Sequence, residues 1–268
     1  MILLSLSSSN HVLADNKNSP EIKTSLKEKG EYVRKRFLAL MNKPFENLTE
    51  TPAQQKILII GDSHAQDFLN SIIENNFINK SQIRTRYIPT RCQIFLGKNQ
   101  DRKWLATDRQ LCEKSDNLEL AKAQINDADV IIFAAFWRKW AAEHFAKTIN
   151  NLKLKKDQRV FVIGRRSFRK VSKEQSKNLN TEQRRKYLNP VDQNQIEINN
   201  ILRNTLDEKV FVDVHRLICG EGSNCPAFTP DSLKLISFDG GHLSQEGAKY
   251  MGNILFKKSQ LKELFQTQ

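Results

Sequence analysis

A chain of 268 residues can bury one good hydrophobic core, and its 39% apolar and 27% charged residues exclude a wholly disordered polymer. The formal net charge of +13 favours anionic partners such as nucleic acid, lipid headgroups or an acidic glycan. Nucleic acid is set aside as a partner, because Lys and Arg are scattered and no aromatic–basic interleaving or known module accompanies them.

The chain opens with MILLSLSSSNHVLA, residues 1–14. This apolar run is shorter than the about 20 residues needed to cross a bilayer. It lacks a basic start, although Val12-Leu13-Ala14 could end at a cleavage site; a signal peptide and the remnant of a longer membrane segment both stay open. Residues 15–55 read as a tether. Asn16 to Pro20 is polar, Glu21 to Met41 carries a weak helical pattern with Val33, Phe37, Leu40 and Met41, and Pro44 with the polar stretch Asn47 to Gln55 punctuates it. The expected division is a leader and linker over 1–55 and one domain over 56–268.

From Lys56 onward strands and helices alternate. Ile57 to Ile60, Val130 to Ala135 and Val160 to Ile163 are unbroken apolar runs, the mark of strands buried on both faces. Ile83 to Ile88 and Val210 to Val214 complete five strands. Helices are expected over 65–76, 118–125, 137–152, 193–206 and 244–258, with Trp140, His144, Ile149 and Leu152 as candidate buried positions of the third. This alternation predicts an α/β fold, a three-layer α/β/α sandwich around a five-stranded parallel sheet, with its site at the carboxyl ends of the strands. The polar stretch from Arg165 to Asp192 reads as an insertion over one rim. Its basic clusters, Arg165, Arg166, Arg169 and Lys170, then Arg184, Arg185 and Lys186, read as solvated surface.

Four cysteines, Cys92, Cys112, Cys219 and Cys225, allow three pairings. Their spacing suggests Cys92 with Cys112 and Cys219 with Cys225, and disulfides would place the domain outside the cytoplasm. Reduced structural thiols are the alternative; a zinc site would more usually show a short C-x-x-C spacing, which is absent.

Two segments carry chemistry. The first strand runs directly into Gly61-Asp62-Ser63-His64. A serine on a sharp strand-to-helix turn is lifted clear of the sheet, and its own N–H can stabilise an oxyanion at the helix start. Taken alone, helix capping by Asp62 or Ser63 is the better explanation of these residues. The second segment is Asp239-Gly240-Gly241-His242-Leu243-Ser244. An Asp and a His three positions apart can form a rigid unit in which the carboxylate holds the imidazole toward a serine. Ser244 is the expected cap of the last helix. His64 is not assigned catalysis, and His11, His144 and His215 carry no constellation.

Gly61-Asp62-Ser63-His64 early and Asp239-x-x-His242-Leu243-Ser244-x-x-Gly247 late resemble the SGNH (GDSL-like) hydrolase superfamily, and more closely the SGNH domain fused behind membrane acyltransferase-3 proteins that modify cell-surface polysaccharides. Ala134-Ala135-Phe136-Trp137 looks like the small-small-x-Trp stretch of that group, and the segment from Tyr32 to Phe37 is similar to the linker after its last membrane helix. The resemblance covers roughly residues 56 to 258. It implies acyl transfer through Ser63 as nucleophile, His242 as base and Asp239 as its orienting carboxylate. The implied partners are an acylated glycan or acyl donor and a membrane acyltransferase domain, in an extracytoplasmic setting near the membrane; no metal or organic cofactor is called for. The superfamily's block-two glycine and block-three asparagine are not evident here. Backbone N–H groups near Arg91 or Cys92 are the candidate replacements in the oxyanion hole. Trp137 and Arg138 are candidates for the pocket, with a core position favoured for the tryptophan. A non-catalytic glycan- or surface-binding module that keeps the fold is the competing functional reading.

Overall fold

The computed structural model describes residues 20–46, 54–77 and 81–265; the leader expected at residues 1–14 lies outside them. In chain order the elements are α1 (Pro20–Ala39), β1 (Gln55–Gly61), α2 (Ser63–Glu74), β2 (Ser81–Tyr87), α3 (Arg109–Lys114), α4 (Leu118–Asp127), β3 (Val130–Ala134), α5 (Lys139–Glu143), α6 (Phe145–Leu152) and β4 (Arg159–Ile163). There follow α7 (Lys173–Asn178), α8 (Thr181–Lys186), β5 (Leu188–Pro190), α9 (Gln193–Thr205), β6 (Phe211–Val212), α10 (Val214–Cys219), β7 (Asn224–Pro226), α11 (Gln245–Lys258) and α12 (Lys262–Phe265).

Five strands form one parallel sheet in the order β2-β1-β3-β4-β6. Successive side chains of a strand face opposite ways, so the apolar runs feed two cores. Ile57, Ile59, Val130, Ile132 and Ile163 meet Phe68, Leu69 and Ile72 of α2, Phe37 of α1 and Met251 and Leu255 of α11. Leu58, Ile60, Ile131, Phe133 and Val162 meet Leu118 and Ile125 of α4, Ala141 of α5, Phe145 of α6 and Leu202 of α9. The molecule is therefore a three-layer α/β/α sandwich. β1 has β2 on one side and β3 on the other, so the strand order reverses at β1, and the crevice at that reversal is where sheets of this kind place ligands.

Three differences from the sequence reading have local causes. The helix expected over 137–152 is two helices that meet at His144. Its Nδ1 lies 2.8 Å from the Trp140 carbonyl, the acceptor its own N–H would use in a continuous α-helix, and that N–H turns to Ala141 O instead. The buried positions are accordingly Ala141, Ala142, Phe145, Thr148 and Leu152, while Trp140, His144 and Ile149 are half-buried. The fifth strand is cut to Phe211–Val212, because Asp213 accepts from Arg216 N and starts α10. Residues 30–46, read as the end of a tether, lie against the sheet domain. Phe37 is fully buried, Thr85 Oγ1 donates to Phe37 O at 2.7 Å, Met41 bridges Thr85, and Arg36 reaches Asn70 and Glu74 of α2.

The segment over 165–192 does carry structure of its own. It holds α7 and α8, each with a capping box, and β5 pairs antiparallel with β7. Arg184, Arg185 and Lys186 close α8, where cations complement the helix dipole. The cysteines pair as Cys92–Cys112 and Cys219–Cys225. The first bridge ties the loop after β2 to α3, and the second ties the end of α10 to β7. Among the described residues no helix is long and apolar enough to cross a membrane.

Candidate active site

β1 ends at Gly61, Asp62 caps the next helix, and Ser63 is its first residue. Asp62 is buried and joins three strand ends. Its carboxylate accepts from His64 N at 2.9 Å, from Thr90 Oγ1 after β2 at 2.7 Å, and from Phe136 N after β3 at 2.9 Å. Burial pushes the Asp62 carboxyl above its ordinary value, against the pull of those three hydrogen bonds and of Arg166. The residue that the sequence allowed as a simple cap is thus a hub for the three loops around Ser63.

The loop from Asp239 to Leu243 precedes α11, whose N-terminus Ser244 caps by accepting from Gly247 N. Within the loop Asp239 Oδ2 lies 2.6 Å from His242 Nδ1, and Asp239 Oδ1 accepts from Gly241 N at 2.8 Å and His242 N at 2.7 Å. Partial burial opposes the Asp239 charge, but these three hydrogen bonds outweigh it and hold the carboxyl well below its ordinary range. The hydrogen bond to Asp239 raises the His242 pKa above its ordinary 6.5, with burial opposing and the Asp67 charge assisting. A carboxylate on Nδ1 leaves Nε2 as the nitrogen free for a substrate or a serine.

The loop is pinned at every carbonyl from Gly240 to His242. Gly240 O accepts from Phe168 N at 2.7 Å and Ser167 Oγ at 3.2 Å, Gly241 O from Arg166 Nη1 at 2.7 Å, and His242 O from Ser237 Oγ at 2.5 Å. Gly240 has φ +97°, and a Cβ there would sit 2.6 Å from Lys170 N, so both conformation and space call for glycine. On the far side, Asp67 of α2 accepts from Leu243 N at 3.2 Å and from Arg166 Nη2 at 2.7 Å. Asp67 is four residues after Ser63, so it shares that helix face. These contacts dock the Asp239–His242 loop on the face of α2 that begins with Ser63.

The remaining candidates fall in different places. Trp137 is fully buried, with Nε1 donating to Ile163 O at 2.8 Å, and is core rather than pocket wall. Arg138 starts α5 and donates its N–H to Gln93 Oε1 at 2.8 Å. The Arg91 guanidinium turns to Asp108 at 3.2 Å, which leaves its backbone as its contribution to the loop. The Cys92 N–H already donates to Pro89 O at 2.8 Å and its sulfur is in a disulfide, so it is committed away from an oxyanion. Phe136 stands between two groups that the sequence left out of the site. His64 meets its ring edge-on with centroids 5.4 Å apart, and the Arg165 guanidinium lies 3.8 Å over it. His64 is buried, its Nδ1 has no hydrogen-bond partner, and burial together with Arg166, His242 and Arg165 keeps it far below its ordinary pKa, hence neutral.

Arg165 and Arg166 were expected on solvated surface, and both are buried. The signal that could have located them is position: Ile163-Gly164-Arg165-Arg166 leaves β4 at its carboxyl end, where a parallel sheet collects its functional residues. A cleft of about 1160 Å³ opens at the opposite end of the sheet, lined among others by Arg159, Lys209, Phe211, Lys257 and Lys262.

Residues 33–257 match the model of the SGNH domain (fused to AT3 domains). The chain belongs to this family. Among solved structures, the SGNH chain is similar to the periplasmic domain of a lipopolysaccharide acetyltransferase of Salmonella ser. Paratyphi A, at 16% identity and a TM-score of 0.57, covering 89% of this chain and 97% of that one. A weaker match is the C-terminal catalytic domain of a Streptococcus pneumoniae peptidoglycan O-acetyltransferase A carrying a methylsulfonyl adduct, at 10% identity and a TM-score of 0.37, over 80% of this chain and 97% of that one. No curated protein matches the chain. The family match begins inside α1, at residue 33, in keeping with the burial of Phe37.

Proposed function

We propose that this SGNH domain is a serine-dependent O-acyl transfer enzyme, acting outside the cytoplasm on acyl esters, chiefly acetyl, of cell-surface glycans, by transfer or by hydrolysis. The observation that carries the reading is the Asp239–His242 pair, at 2.6 Å, docked through Asp67 and Arg166 on the helix that Ser63 begins. Ser63 Oγ attacks the acyl carbonyl while His242 Nε2 takes its proton. The tetrahedral intermediate collapses, and the same imidazole returns the proton to the departing alkoxide. The acyl-enzyme then passes its acyl group to a sugar hydroxyl or to water, with His242 repeating both proton steps. Asp239 keeps the proton on Nδ1 and stabilises the imidazolium. The Ser63 N–H at the start of α2 is one oxyanion donor, and the Thr90–Arg91 turn is the place for a second.

The site is open. The Asp239 and His242 side chains are each 42% exposed, which suits an ester carried on a bulky polymer better than a small buried ligand. The two disulfides and the periplasmic source of the lipopolysaccharide acetyltransferase neighbour support the compartment. The family's fusion to AT3 domains supports a membrane acyltransferase as the donor of acyl groups.

The test is covalent labelling. Treatment with phenylmethylsulfonyl fluoride is expected to place one sulfonyl group on the peptide containing Ser63, seen by mass spectrometry, with parallel loss of aryl-acetate hydrolysis. Unlabelled protein that still binds envelope polysaccharide would favour the binding-module reading. A second expectation concerns pH. The base must be unprotonated, so kcat/KM for an aryl acetate is expected to rise with pH through a midpoint above about 6.5, the direction set by the Asp239 hydrogen bond. A midpoint below that of free histidine would contradict the arrangement.

A further inference from the structure

We infer that Asp67 and Arg166 are positioning residues for this reaction, a buried ion pair that holds His242 in register with Ser63 and sets the field at the imidazole. The inference rests on the proposed acyl-transfer reading and adds two residues to it.

Geometry comes first. Asp67 and Arg166 are 3% exposed each, and they meet at 2.7 Å between Oδ2 and Nη2. Neither charge is spent on solvent. The second arm of Arg166 goes to Gly241 O, the residue before His242, and the same Asp67 oxygen takes Leu243 N, the residue after it. Two backbone groups that flank His242 are therefore fixed to one carboxylate and one guanidinium. Asp67 in turn lies one helical turn from Ser63 on α2. The planar fork of arginine spans both acceptors at once, which an ammonium group cannot do. A core position on a helix flanked by Phe68 and Leu69 would be served by an apolar residue if packing were the only requirement.

The field at His242 follows from the same arrangement. Facing the imidazole are Asp239 from its own loop, Asp67 and His64 from α2, and Arg166 from the loop after β4, with Phe238 stacked beside it at 6.1 Å. The Asp67 carboxylate favours the imidazolium that forms during attack, and Arg166 opposes it. A merely structural pair would not move the titration of His242 in opposite directions when each member is neutralised.

The experiment compares wild type with Arg166→Met, Arg166→Lys and Asp67→Asn. It measures the second-order rate of Ser63 sulfonylation from pH 5 to 9, kcat and KM for an aryl acetate, and circular dichroism to confirm folding. Expected is a fall of roughly 10-fold or more in the labelling rate and in kcat for Arg166→Met, with KM little changed, and partial rescue by Arg166→Lys. The midpoint of the pH profile is expected to shift upward in Arg166→Met and downward in Asp67→Asn. Should Arg166→Met fail to fold, Arg166→Lys and Asp67→Asn carry the same comparison with milder losses. Folded variants that label at the wild-type rate with an unmoved midpoint overturn the inference alone. A wild-type Ser63 that never labels removes the acyl-transfer reading and this one with it.

Discussion

Ser63→Ala is expected to lower aryl-acetate turnover by about 10⁴- to 10⁶-fold, the scale on which losing the nucleophile collapses a triad whose members act as one unit. The variant keeps the backbone N–H at the start of α2, the Asp62 cap and the whole Asp239–His242 loop, so the proposed oxyanion donor and the proposed base remain in place. What vanishes is the covalent route. Ser63 is half-buried at the first helical position and its hydroxyl takes no part in the hydrogen bonds that hold the three loops together, which run through Asp62. Stability is therefore expected to stay within about 0.5 kcal/mol of wild type. The check is kcat/KM beside a urea unfolding curve on the same preparations. Equal turnover by both proteins would end the case for Ser63, whatever the fold.

Gly61→Ala is the second large effect, and it acts on stability. Gly61 is paired with Tyr87 on one side and Ala134 on the other, in the middle of the sheet. A Cβ at this position would lie 1.8 Å from Ala134 O and 2.8 Å from Ala134 C. Both clashing atoms are backbone, held by their own ladder, and neither can step aside as a side-chain tip could. Overpacking of ordinary cores costs about 1–3 kcal/mol, and a backbone clash in a central strand belongs at or beyond the upper end. A loss of about 3 kcal/mol corresponds to a fall of roughly 6–12 °C in Tm for a domain of this size. Activity is expected to fall with it, since any relief of the clash moves the turn that presents Ser63. A variant within about 1 kcal/mol of wild type by urea titration would show that the strand ends are looser than this packing implies.

The two substitutions separate what was legible from what was not. Gly61 and Ser63 stand in a motif that could be singled out in the sequence together with Asp239 and His242, because the two segments combined resemble a known family although capping would explain the first of them alone. The strands could also be read: Ile57 to Ile60 and Val130 to Ala135 are short unbroken apolar runs that alternate with helical segments, as strands covered on both faces do. Asp67 and Arg166 were not legible. They lie 99 positions apart in the chain, and a lone charge in a helix or in a basic run reads as solvated until its partner is known. Phe37 was missed for a related reason, since one aromatic in a weakly patterned basic helix gives no sign that β2 and α2 will cover it.

The sequence by itself pointed to the α/β sandwich, the Gly61–His64 turn and the Asp239–His242 loop, and its spacing suggested the pairing of four cysteines, because each depends on interactions among residues close in the chain or on simple periodicity. Tertiary structure alone decided where α1 rests, that Trp137 is core, and that Asp62 gathers three loops. It also decided that Arg166 joins the His242 loop to the helix that Ser63 begins. Those outcomes depend on burial, and burial turns an ordinary surface charge into one that must find its partner across the fold.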